Sequence, residues 1–216
     1  MKKKLHIIGF IASFLVTFLL PAQSVFINEI HYDNDGGDLG EAVEIASPAG
    51  TDLAGWTVVL YNGNNSASYG TINLEGTIAD QQGGFGTVSF TQSGIQNGAP
   101  DGLALVNAEG VVVQFLSYEG TMTATDGPAA GMTSTDIGVA QSGSDPVGHS
   151  LQLGGEGNTY SEFAWQTSIE NTFGAINTNQ SFGGEVTTPE PEPEPELPLK
   201  RLPWISFSLT RSIMTM

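Results

Sequence analysis

Five carboxylates crowd one stretch near the start of the chain: Asp33, Asp35, Asp38, Glu41 and Glu44, with His31 and Asn34 beside them. Hard oxygen donors at this density suit calcium, which takes about six to eight oxygens. Asp33, Asp35 and Glu44 fall at the first, third and twelfth positions of an EF-hand loop. The match stops there. Gly37 stands where a ligand is wanted, Asp38 stands where the loop needs glycine, and no helical pattern flanks the run. The residues point either to a non-EF calcium site or to a solvated acidic turn between two strands.

Other chemistries find less support. Apart from His6 in the leader, the histidines are His31 and His149, far apart in sequence, with no cysteine and no H-x-x-x-H spacing. That disfavours zinc, and His31 is expected to end a strand and His149 to start one. No G-x-S-x-G elbow marks a nucleophile. Paired carboxylates could hydrolyse a glycoside. However, sugar-cleaving clefts ordinarily add aromatic platforms and an Arg or Lys, and Trp56 and Trp165 read as core residues. No catalytic residue is assigned.

Residues 5–199 contain no Lys or Arg and all 23 acidic residues. A body without cationic side chains neither neutralises phosphates nor releases counterions. Direct binding of nucleic acid or of an anionic membrane surface is therefore excluded as an expectation. Cysteine is absent, so stability must come from a core rather than from disulfides.

The elements that must position these groups read as strands. Candidates are residues 25–30, 42–46, 56–61, 68–74, 86–90, 102–106, 111–118, 150–153 and 162–165. In 42–46, Val43 and Ile45 share one face and Glu44 takes the other. Asn107-Ala108-Glu109-Gly110 is a hairpin signal. Residues 121–148 are rich in Thr, Gly, Ala, Ser and Asp and read as a long loop with one short strand. Many short strands, abundant turn residues and no sustained helical period predict an all-β sandwich.

Both ends differ from this body. Lys2, Lys3 and Lys4 precede an apolar run and the small residues Ala22 and Ser24, so residues 1–24 read as a secretory signal. The chain is then expected to be secreted or held at the cell surface, with no membrane span after cleavage. Residues 25–184 form the domain, and 185–196 a Pro/Glu-rich linker that self-repels. Residues 197–216 form a tail of foreign composition, expected with the linker to be disordered. Synonymous codons can be chosen for residues 208–216 so that the neighbouring frame, begun at the last base of Phe207, spells FINEIHYDN, the sequence of residues 26–34. The tail thus reads as the frameshifted start of a second copy of the module, a reading that the coding DNA decides.

Several runs together carry a family resemblance: INEIHYDNDGGDLGEAVEI, DLAGWTVVLYNG, GAPDGLALVNAEGVVVQFLSYEG, HSLQL, EFAWQ and NTFGAINTNQSF. In order and spacing they resemble the bacterial lamin-tail domains, with Glu44 and Trp56 at two recognisable points. The resemblance implies an immunoglobulin-like sandwich acting as an accessory or interaction module, without generally assigned catalytic residues. Such modules often precede extracellular nucleases of the endonuclease/exonuclease/phosphatase type. The expected function is an exported, non-catalytic interaction module, the front part of a tandem-domain or nuclease protein, with an extracellular protein or polysaccharide as partner. The alternatives are a calcium-dependent adhesion or carbohydrate-binding module, and a stand-alone hydrolase using the acidic cluster.

Overall fold

Alternating and doubly apolar runs pair into two sheets in the computed structural model, which describes residues 23–183. The secretory signal expected at 1–24 lies outside those residues except for Gln23 and Ser24, and the linker and tail expected at 185–216 lie wholly outside them. In chain order the strands are β1 (Phe26–His31), β2 (Ala42–Pro48), β3 (Thr57–Asn62), β4 (Ala67–Asn73), β5 (Phe85–Thr91), β6 (Asp101–Val106), β7 (Val112–Tyr118), β8 (Thr135–Asp136), β9 (His149–Glu156), β10 (Phe163–Trp165), β11 (Ile169–Glu170) and β12 (Gln180–Ser181). One sheet runs β10-β9-β1-β2-β5, with β11 and β12 also on β9, and the other runs β4-β3-β6-β7-β8. They pack face to face as an all-β, immunoglobulin-like sandwich.

The core lies between the sheets. Ile27, Ile30, Val43, Ile45 and Leu151 from the first sheet meet Val58, Leu60, Leu103, Leu105 and Leu116 from the second. Trp56 and Trp165 pack against this core half-buried. The 107–110 signal closes β6 onto β7. There the Asn107 side chain accepts from the Glu109 and Val111 N–H groups, and Gly110 takes φ +79°, a conformation that favours glycine.

The strand β1 contains a bulge whose cause is legible in its residues. Ile27 and Ile30 both face the core, yet they are three positions apart, which strict alternation forbids. The register against β2 shifts between Ile27 and Glu29, pairing Ile27 with Ile45 and Glu29 with Glu44. Asn28 is the extra residue. It resets the phase, so that Glu29 leaves the core face and Ile30 enters it.

Neither sheet leaves its outer face bare. Strand β3 is buried on both sides: Val58 and Leu60 point to the core, while Val59 and Tyr61 join Ala104, Phe115, Met122, Ala124 and Ala129 in a second cluster. Residues 121–135 therefore act as a cover, pinned by the Thr123–Thr133 bridge and by β8 running parallel to β7. The expectation of a loop with one short strand describes its backbone, and the cover is what its Met and Ala residues do.

Candidate functional site

The five acidic residues singled out in sequence separate into distinct surroundings. Asp35 and Asp38 are exposed on the turn between β1 and β2. Asp33 sits beside Asp38; partial burial first, then the Asp38 charge, raises its carboxyl above the ordinary range. Glu41 is 6% exposed and points at another loop, where one carboxylate oxygen accepts the Gly94 N–H at 2.7 Å. Its other oxygen, Oε1, is buried without a hydrogen-bond partner. Glu44 is fully buried on the outer face of the first sheet. Among the described residues no three His, Cys, Asp or Glu side chains are placed to hold one metal ion. The donor set needed for calcium does not converge, and no chemistry is routed through a metal here.

His31 ends β1 and His149 begins β9. His31 is buried, with Nδ1 3.0 Å from Gln141 Oε1 and Nε2 3.0 Å from the Leu39 carbonyl and 3.2 Å from Asn34 Oδ1. Gln141 Nε2 also donates to the His149 carbonyl at 3.2 Å. These contacts fasten the acidic turn to the sheet edge.

The most unusual electrostatic feature is a pair that sequence reasoning half missed. Glu29 and Glu44 are cross-strand neighbours on the outer face, both with no solvent exposure. Glu29 accepts from Ser150 Oγ, from Gln152 Nε2 at 3.3 Å, from the Thr172 N–H at 2.9 Å and from Thr172 Oγ1 at 3.0 Å. Glu44 accepts from Asn28 Nδ2 at 2.9 Å and from the Gly174 N–H at 2.6 Å. Asn177 and Gln180 complete the network by donating to the main chain and side chain of Asn28. The segment that joins β11 to β12, both paired with β9, thus crosses the outer face as a strap, held largely through two carboxylates.

No Lys or Arg exists in this part of the chain to neutralise the pair. Burial first, then the Glu29 charge, pushes Glu44 up to about 8. Burial also raises Glu29. The pair therefore retains a proton at neutral pH, as two close carboxyls in a low-dielectric site must. Perturbed carboxyls of this kind often mark active sites. Here both lie under the strap, which supports a structural role. The sequence signal for Glu44 was its place in an alternating strand, which predicts a solvated face. For Glu29 and the strap residues Thr172, Asn177 and Gln180, local pattern carried no signal.

A separate concavity opens where two loops meet. Asn62, Asn64, Gln96, Asn97, Gly98, Ala99, Pro100 and Asp101 line a cleft of about 320 Å³. Asp101 sits at its base, 2% exposed, gripping the Gly63 N–H at 2.8 Å and the Gly98 N–H at 2.6 Å. Burial raises its carboxyl, and those amide bonds oppose the rise. Gly63 has no room for a side chain, since a Cβ there would meet the Pro100 carbonyl oxygen at 1.5 Å.

The chain matches no protein-family model, no curated protein and no solved structure.

Proposed function

We propose that this chain is a non-catalytic interaction module of an exported protein. One observation supports this most: the most buried carboxylates, which would be the best tuned for acid–base chemistry, are committed to holding the fold. Glu29 and Glu44 fasten the strap, Glu41 and Asp101 hold loop amides, and Glu162 accepts the Asn158 and Thr159 N–H groups. A catalytic acid and base must both reach one reacting bond; no such pair lines the 320 Å³ cleft, and the one pair that shares a smaller concavity, Glu119 and Asp136, has Glu119 tied to the Tyr32 hydroxyl. Within this reading, the lamin-tail resemblance makes the module an accessory part of a larger extracellular protein, with a surface protein or polysaccharide as its partner. No helix among the described residues is long and apolar enough to cross a membrane.

The test is to incubate the chain with insoluble polysaccharides, with intact bacterial cells and with DNA. We expect depletion from solution by at least one polysaccharide or cell surface, and no product release from any substrate. Soluble sugars or nucleotides accumulating in proportion to protein, and lost in Asp33→Asn or Asp38→Asn, would establish the hydrolase alternative.

A further inference from the structure

We propose that the cleft between the loops at residues 62–66 and 92–101 binds a neutral saccharide through the side-chain amides of Asn62, Asn64, Gln96 and Asn97. This rests on the non-catalytic module reading and gives it a ligand class and a place.

The first support is how the cleft loop is built. Residues 92–100 form no strand, yet buried groups hold much of their main chain. The Gln92 N–H donates to the Glu41 carbonyl at 2.9 Å and the Gly94 N–H to the Glu41 carboxylate at 2.7 Å. Ile95 is 3% exposed in the core. The Gln96 N–H donates to the Tyr69 hydroxyl at 2.8 Å, and the Tyr118 hydroxyl donates to the Gln96 carbonyl. The Gly98 N–H meets Asp101. A loop restrained this closely has already lost the freedom that ligand binding would otherwise take from it. Folding has thus ordered a strandless segment that buries Ile95 and turns Gln96 and Asn97 to the cleft.

The second support is what those side chains leave open. The Gln96 and Asn64 side-chain amides make no hydrogen bond among the described residues, and Asn62 uses only its oxygen, accepting from the Asn64 N–H at 2.7 Å. Asn97 turns its amide donors to Asp33 and Asp38, the latter at 3.5 Å, and offers its oxygen. Each amide carries donors and an acceptor on a rigid plane. Together they present alternating donors and acceptors without charge, which matches the adjacent hydroxyls of a sugar.

Other ligand classes fit less well. Anions are repelled by a body with no Lys or Arg among its residues 5–199. Cations meet too few ligands: the Asp101 oxygens are already taken by loop amides, and Asp33 and Asp38 beside Asn97 are joined by no third carboxylate or histidine among the described residues. Peptides are captured by strand pairing or by apolar side-chain pockets. The cleft offers no strand edge of its own, and only Ala99 and Pro100 as apolar lining. A neutral polyol remains.

The experiment follows main-chain and side-chain amide signals of the full chain by NMR during titration with cellohexaose, xylohexaose and mannohexaose. Hexagalacturonate serves as an anionic comparator, and reducing-end release is measured on the same samples. We expect saturable shifts at Asn62, Asn64, Gln96 and Asn97 with at least one neutral hexasaccharide and none with hexagalacturonate. The Asn64→Ala/Gln96→Ala double variant should weaken binding about tenfold, the loss of roughly two neutral hydrogen bonds. Both side chains lie outside the core, so the melting temperature of that variant should stay unchanged. Shifts confined to another surface, or none with any of the three sugars, would overturn the cleft assignment while leaving the module reading intact. Release of reducing ends would instead overturn the module reading itself.

Discussion

Glu44 shows how far a single side chain can govern this molecule. In the unfolded chain it ionises like any glutamate, near 4.5; folded, it is raised to about 8. The folded state therefore binds the extra proton between those values. The stability tied to this proton is fully present below the unfolded value and is lost as pH rises through the folded one. Melting followed from pH 5 to pH 9.5 should show stability declining from pH 5 to about 8 and levelling off above that. Glu44→Gln removes the charge and keeps an oxygen for the Gly174 N–H. We expect it to flatten that decline, melting close to the parent near pH 5 and several degrees above it at pH 9. A parent protein whose melting temperature does not fall between pH 5 and pH 8 would contradict the buried pair. Alternation placed Glu44 opposite Val43 and Ile45 correctly. It could not reveal that this opposite face is covered, because the covering strap lies some 130 residues downstream.

At the scale of elements, the strands were the most legible part of the chain. Their apolar residues recur at period two, or fill both faces as in β3, and hairpin chemistry at 107–110 fixed one register. The bulge in β1 was hidden in plain composition: FINEI places isoleucines three apart, a spacing that a regular strand cannot bury on one face. The strap and the 121–135 cover were illegible for a different reason. They are irregular segments stabilised by long-range hydrogen bonds and by scattered Met and Ala contacts, and no local period encodes either. The cleft shares this difficulty, since its amides come from two loops and their ordering depends on Glu41, Tyr69, Asp101 and Tyr118. The bulge itself can be tested. Deleting Asn28 should leave a regular strand that keeps Ile27 and Ile30 on the core face and Glu29 opposite, so the deletion variant should still unfold cooperatively, at a lower temperature for the hydrogen bonds Asn28 made. Asn28→Ala keeps the residue count, and should remain folded while losing about 1–3 kcal/mol for the donors and acceptors it strands. If circular dichroism melting shows that the deletion variant has lost its cooperative transition and sheet spectrum, the reading of Asn28 as the extra residue of the bulge is wrong.

For the molecule as a whole, the dominant fact is charge of one sign. With 23 acidic side chains and no Lys or Arg across residues 5–199, compaction brings like charges together and nothing opposite relieves them. Mobile ions are then the only counter-charge, and their reach is set by ionic strength: the screening length falls from about 30 Å at about 0.01 M to about 10 Å at about 0.1 M. Sodium chloride should accordingly raise the melting temperature steadily over that range, with most of the gain made before the screening length drops below the spacing of neighbouring carboxylates. The same titration separates diffuse screening from a bound ion. Asp33, Asp35, Asp38, Glu41 and Glu44 are dispersed between an exposed turn, a loop amide and a buried strap, and no three carboxylates or histidines among the described residues converge. Calcium chloride should therefore stabilise no more than sodium chloride at matched ionic strength, because only a ligand that binds the folded state adds a mass-action increment. A calcium-specific rise that saturates at millimolar concentration would mean that the acidic turn closes around an ion, and would restore the calcium-dependent adhesion reading. A melting temperature indifferent to sodium chloride would mean that self-repulsion contributes little to this fold.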